Sequence, residues 1–199
     1  MIKFYPCNNI DNPNIREAVS LHIEHLSYRS FITKFGFQFL LKLYKDWISD
    51  KNAILMLATE DDKLIGFILG IKDKNDLFGP ITSRPFKYIW HVIAGILKHP
   101  TSFPKLFETL LYKNKSDHSI KSELLVIVTE ANNRSKGLGS KLVHHLNEEF
   151  KKENISEYTV TVHAEMEKSN NFYLRNGMNL LNSFELYDVV WNEYKNDIK

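Results

Sequence analysis

An uninterrupted apolar run, a glycine-bearing turn and an amphipathic helix follow one another between Glu123 and Leu146, and few folds accept that order. Leu124 to Val128 are all apolar and partly β-branched, the signature of a central strand covered on both faces. Beyond the turn, Leu138, Leu142, Val143, Leu146 and Phe150 recur at helical spacing and mark one buried stripe. Between the two stand Arg134, Ser135, Lys136, Gly137, Leu138, Gly139 and Ser140, so two cations and two glycines meet at a helix entrance. The first N–H groups of a helix have no intrahelical partner and attract anions, and glycine lets a ligand approach the backbone closely. A phosphate group is the guest that suits such a turn. Spacing excludes two familiar phosphate loops. A dinucleotide fingerprint needs a third glycine where Leu142 stands, and a P-loop beginning at Gly137 fails at the same residue.

The remaining chain supplies the other elements of an α/β domain. Ile2 to Tyr5 is a short strand stopped by Pro6, and Asp11 to Leu26 is a helix with Ile15, Val19, Ile23 and Leu26 on one face. Asp11 or Asn12 is available to cap it. Phe35 to Trp47 is a second helix, and a segment rich in His, Tyr, Arg and Ser lies between the two. Ala53 to Thr59 and Lys63 to Ile71 are strands joined by the hairpin signal Asp61-Asp62. Glu157 to His163 alternates like a strand, and Lys168 to Asn176 is a short helix closed by Gly177. Met178 to Glu185 and Leu186 to Tyr194 finish the sheet.

Two motifs in this order carry a resemblance. Arg134, Gly137 and Gly139 form R-x-x-G-x-G between a strand and a helix, and Phe172, Tyr173 and Gly177 fit a late helix ending F-Y-x-x-x-G. Together with the element order they resemble the GNAT acyltransferase superfamily. The resemblance implies an α/β fold with a mixed central sheet flanked by helices, in which two splayed central strands form an acyl-CoA cleft. It covers one domain from residue 1 to 199 with a helical insertion at about 72–121. Met178 replaces the family's usual phenylalanine, and Met166 stands where the family carries an asparagine seven positions before the tyrosine.

The implied activity is acetyl-CoA-dependent N-acetylation by direct attack of an acceptor amine, with acetyl-CoA as co-substrate and no metal. Backbone groups of Val126, Ile127 and Val128 would bond pantetheine and polarise the thioester carbonyl. The N–H groups from Lys136 to Ser140, assisted by Arg134 and Ser135, would take the pyrophosphate. Tyr173 resembles the tyrosine that many members place near the departing sulfur; the competing reading is a half-buried structural aromatic. Asn170, one turn earlier on the same face, is expected to bond coenzyme A. Glu123 is the expected base, since burial at a cleft floor raises a carboxyl pKa toward neutrality; a solvated charge at a strand start is the alternative. Glu130 reads as a loop charge or cap, and His163 as a packed or solvated histidine, with a base or acceptor contact at the cleft as the alternative. The eight histidines, among them His22, His25, His144 and His145, form no zinc pattern with cysteine or carboxylate.

About fifty residues, Lys72 to Lys121, separate the hairpin from the central strand, where most members have a short turn. Phe86 to Leu97 and Phe103 to Tyr112 are apolar and aromatic at helical spacing, and Arg84 to Lys115 holds six Lys or Arg against one acid, Glu108. A subgroup linked with sugar and surface-polysaccharide modification is similar. Two short helices over the acceptor end of the cleft are expected, with Tyr88, Trp90, Phe103 and Tyr112 facing sugar rings and Arg84, Lys87 and Lys98 facing phosphate or anionic lipid. The partner is therefore a small amine, an amino sugar foremost, with peripheral membrane or lipid-linked substrate contact through the insertion. A homodimer contact is the rival use, and acetylation of a protein N-terminus or lysine, or coenzyme A binding without turnover, are the rival functions. The net charge of +2 gives no bias toward nucleic acid. One cysteine, Cys7, and a start without an apolar leader segment lead to a cytoplasmic expectation.

Overall fold

The computed structural model describes residues 1–27, 30–98, 119–133, 136–186 and 188–198. Seven strands form one mixed sheet in the order β1-β2-β3-β4-β5-β7-β6. They are β1 (Ile2–Pro6), β2 (Ala53–Glu60), β3 (Lys63–Ile71), β4 (Glu123–Thr129), β5 (Glu157–His163), β6 (Asn179–Leu186) and β7 (Val189–Asp197). All neighbours run antiparallel except β4 and β5, which are parallel and connected through a helix. Asp61 and Asp62 close the β2–β3 hairpin with φ of 50° and 63°, the left-handed geometry that matches strand twist.

Helices α1 (Asn14–Leu26) and α2 (Phe37–Ser49) cover one face of the sheet, and α5 (Leu138–Lys152) and α6 (Glu167–Arg175) the other. The first core joins Ile15, Val19, Leu40, Tyr44 and Trp47 to Leu55, Phe67, Val126 and Val128. The second joins Leu138, Leu142, Leu146 and Phe150 to Ile68, Leu124, Tyr158, Val160 and Tyr173. The helical stripe expected after the glycine turn is therefore the buried face of α5.

Boundaries differ from the sequence reading where local geometry intervenes. The first helix begins at Asn14 behind Pro13, and Asn12 accepts the Asn14 N–H at 2.9 Å outside it. The second begins at Phe37, because Gly36 (φ 86°, ψ 172°) separates it from a 3-10 turn at Phe31–Phe35. The last hairpin is displaced, with Asp188 at φ 61° turning the chain into β7.

The two ends of the insertion are tied together. Lys74 N–H donates to the Lys121 carbonyl at 2.7 Å and Ser122 Oγ to the Lys72 carbonyl at 2.8 Å. The described part contains a 3-10 turn (Lys74–Asp76), α3 (Gly79–Ser83) and α4 (Pro85–Lys98). Helix α4 packs on α2 and the Phe31–Phe35 turn. The second expected helix, 103–112, lies outside the described residues. Tyr88 corrects the sequence reading: it faces no sugar, being fully buried on Phe39 with its hydroxyl donating to Asp46 Oδ2 at 2.6 Å. Asp46 also takes Lys87 and, at 3.2 Å, Arg84. Burial opposes the charge of Asp46, but the bonds from Lys87 and Tyr88 and the charges of Lys87 and Arg84 outweigh it and hold its pKa low.

His22 offers a test of the first core. It is buried, its Nδ1 lies 2.8 Å from the Tyr44 hydroxyl, and burial lowers its pKa from 6.5 to about 4. Between those pH values the unfolded chain binds a proton that the folded one refuses, so stability falls as pH drops from 6.5 toward 4. The loss is about 3 kcal/mol. Urea unfolding at pH 7, 5 and 4 should show a steeper decline for the native chain than for His22→Gln. Parallel declines would remove His22 from this role.

Candidate active site

The parallel pair β4–β5 is registered at only two positions, Glu123 with Thr159 and Leu124 with Val160. From Leu125 onward β4 keeps β3 as its neighbour and leaves β5. The departure coincides with a bulge: Leu69 faces Val126 and Gly70 faces Leu124, so Leu125 is an extra residue on β4. The edge of β4 through Val126, Ile127 and Val128 thus borders a gap rather than a strand. Main-chain donors and acceptors along such an edge are ready to pair with an extended ligand.

The end of the same strand leads to the first turn of α5. Gly137 stands at the helix cap with φ 76° and ψ 6°, and as a glycine it offers no side chain to cap the turn. The first intrahelical bond runs from Lys141 N–H to the Gly137 carbonyl at 3.1 Å, which leaves the N–H groups of Leu138, Gly139 and Ser140 to other partners. Lys136, Gly137 and Ser140 are exposed, and a Cβ built on Gly137 would meet nothing within 4 Å. Gly139 has another task. A Cβ there would fall 3.0 Å from the ring of Phe172, so this glycine lets α6 close against α5. Arg134 and Ser135 lie outside the described residues.

Helix α6 presents Tyr173 to the second core, 6% exposed, with its ring 5.9 Å from that of Tyr194. Burial pushes the phenol pKa well above its ordinary value, so the hydroxyl keeps its proton at neutral pH. Asn170 is engaged throughout. Its Nδ2 donates to the carbonyls of His163, Ala164 and Met166 at 2.9, 3.2 and 2.8 Å. Its Oδ1 accepts from Asn192 at 2.9 Å and from the Tyr194 hydroxyl at 2.8 Å. Both donors and both lone pairs are spent within the protein, which gives Asn170 the work of fixing the β5–α6 turn.

The floor of the gap is polar. Glu123 is buried and accepts from Thr161 Oγ1 at 3.4 Å. Thr161 faces Glu193 in the β5–β7 register, and Glu193 is fully buried. Lys74, also buried, reaches Thr159 Oγ1 at 3.4 Å and Glu193 Oε1 at 3.6 Å. Neither Lys74 nor Glu193 was marked by sequence reasoning. Glu193 had a faint signal, as an acid at an inward position of an alternating strand, while Lys74 had none. His163 stacks edge-on against Trp191 at 4.6 Å, and Phe184 faces Trp191 across β6–β7. Glu130 pairs with Lys63 at 3.5 Å, in keeping with a loop charge. A hollow of about 300 Å³ beside it, between α1 and the start of β3, is not lined by Glu123 or Tyr173. Among the described residues no group of three or more His, Cys, Asp or Glu is arranged to hold a metal ion.

An open strand edge, an uncapped helix N-terminus and a buried acid–threonine floor together form a cleft able to hold a phosphate-bearing thioester against an amine. No curated protein matches the chain. Among solved structures it resembles the PaiA N-acetyltransferase of Thermoplasma acidophilum in complex with coenzyme A, at 17% identity and a TM-score of 0.59, over 98% of this chain and 99% of that one. It also resembles the aminoglycoside 6'-acetyltransferase type Ii (14%, TM-score 0.60, 100% and 97%). A third is the NatC complex bound to Gag peptide and coenzyme A (12%, TM-score 0.61, 100% and 99%). Residues 21–178 match the acetyltransferase (GNAT) family, and the chain belongs to that family of acetyl-CoA-dependent acetyltransferases.

Proposed function

We propose that the chain acetylates the amine of a small molecule, an amino sugar foremost, by direct attack on acetyl-CoA. The observation that carries this reading is the β4 edge, open beyond Leu124 and running into an uncapped helix turn. Backbone groups of Val126, Ile127 and Val128 pair with the pantetheine and polarise the thioester carbonyl. The N–H groups of Leu138, Gly139 and Ser140 take the pyrophosphate, with Lys136 adding charge beside it and Arg134 and Ser135 preceding it in the sequence. Asn170 holds the wall of the cleft without touching coenzyme A.

The amine nitrogen attacks the carbonyl carbon and the carbon–sulfur bond breaks. Glu123 takes the proton that the amine sheds, and the Tyr173 hydroxyl gives one to the departing thiolate. Oxyanion stabilisation falls to the β4 main chain. Support for a sugar acceptor comes from the face that carries Glu123. In register it also carries Thr161 and Glu193, then His163, Trp191 and Phe184, so carboxyl groups for an ammonium adjoin aromatic faces for a ring. Release of thiol from acetyl-CoA with amino sugars, polyamines and peptides in turn tests the acceptor class. Turnover confined to peptides would replace the small-amine reading.

A ligand at one hundred times its dissociation constant stabilises the fold by roughly 2.7 kcal/mol. Gly137→Val should abolish the thermal shift given by coenzyme A, because the new side chain fills the open approach. Should valine strain the turn too far, Gly137→Asn accepts the positive φ and still obstructs the ligand. A folded variant that shifts like the native chain would move the phosphate site elsewhere.

Tyr173→Phe should lower kcat by about ten- to a thousandfold with little change in coenzyme A affinity. Glu123→Gln should remove the rise of rate with pH that a carboxylate base produces. Native rates and an unchanged pH profile in these variants would return both side chains to structural roles.

A further inference from the structure

We propose that the outer face of α4 docks on an anionic lipid bilayer. The helix is apolar on two faces. Its inner face, with Tyr88 and Gly95, is buried, while Phe86, Ile89, Trp90, Ile93 and Leu97 form an outer stripe. Phe86 is 88% exposed, Trp90 76% and Leu97 77%. Single exposed apolar residues are ordinary, but five at helical spacing on one face mark an interaction surface.

Charge identifies the partner. From Leu77 to Phe107 the chain has no aspartate or glutamate and carries Arg84, Lys87, Lys98 and Lys105. Arg84 is paired with Asp46 and Asp50 and Lys87 with Asp46, yet 41% and 39% of their side chains remain exposed. Lys42 adds a cation 2.8 Å from His91, whose pKa is lowered by burial and then by that charge, so the imidazole stays neutral beside the ammonium. A helix with tryptophan, phenylalanine and leucine on one side and cations at its margins lies in the headgroup layer of anionic membranes. A second copy is a poorer partner. A twofold pairing of antiparallel α4 helices would set Arg84 and Lys87 against Lys98 of the other chain. The 14 described residues of this helix rise about 21 Å, short of a hydrocarbon core of about 30 Å. Among the described residues no helix is long and apolar enough to cross a membrane. Asp46 and Tyr88 bolt α4 to α2, so docking would fix the orientation of the whole sheet. The proposal does not rest on acetyl transfer and stands or falls separately from it.

The full chain should sediment with phosphatidylcholine vesicles containing phosphatidylglycerol, release at high salt, and pass over pure phosphatidylcholine. The fluorescence lost in Trp90→Ser should be the part that shifts blue on binding. The double variant Trp90→Ser and Leu97→Ser should bind at least about tenfold more weakly, and Lys98→Glu about fivefold, each keeping the native thermal shift with coenzyme A. Failure to bind anionic vesicles, or equal binding by the double variant, would overturn the proposal. So would a solution dimer that Trp90→Ser dissociates, which would make a second copy the occupant. A Trp90 inaccessible to a soluble quencher before vesicles are added would show the face already covered within the chain, and would overturn it as well.

Discussion

Everything at the cleft depends on one extra residue. A strand alternates its side chains between two faces, so Leu124, Val126 and Val128 would share one face of a regular β4. They do not: Leu124 packs with α5, whereas Val126 and Val128 pack with α1 and α2. Leu125, inserted opposite the Leu69–Gly70 step, reverses the alternation and adds local twist. Beyond that point β4 no longer follows β5. The cost is a stretch of backbone at the centre of the sheet with β3 on one side and no ladder partner on the β5 side, a place where unmet polar groups are expensive. Under the proposed function an extended, amide-bearing ligand repays the cost.

Where the two strands still meet, buried polar side chains are concentrated. Glu123, Thr159, Thr161 and Glu193 gather beneath the gap, and Lys74 enters from the first turn of the insertion. A buried ion pair at 3.6 Å is weak as a source of stability, because desolvation consumes much of its attraction. It is better understood as organisation. Lys74 is held by its own backbone bond to Lys121, so the residues that open and close the insertion also set the floor of the cleft.

Much of the frame was legible in the sequence, because periodicity and turn chemistry are local. The buried run of β4, the stripe of α5, the Asp61-Asp62 hairpin and the left-handed glycine after α6 follow from residue spacing alone. What escaped was set by partners distant in the chain. The break at Gly36 was hidden inside an apolar run. Tyr88 and Trp90 look alike in a helix that is apolar on two faces, and only Asp46, on another helix, decides which of them turns inward. The two glycines of the phosphate turn look equivalent as letters, yet one faces open space and the other Phe172. Lys74 carried no signal, since nothing local distinguishes a lysine that will be buried from one that will not.

Asn170 and Met166 show how a motif can change while its geometry persists. Met166 stands where the family resemblance leads one to expect an asparagine, and all the hydrogen-bonding capacity of Asn170 is committed within the protein. Its bonds join the end of β5, the start of α6 and β7, the three segments that bound the far side of the gap. Recognition under the proposed function then rests on main-chain groups of β4 and of the α5 turn. Main-chain recognition constrains side chains only through packing: Val126, Ile127 and Val128 need to fill their two cores, not to bear any particular functional group. A cleft built in this way can tolerate wide sequence change along its cofactor wall, provided that the bulge at Leu125 and the positive φ at Gly137 are kept.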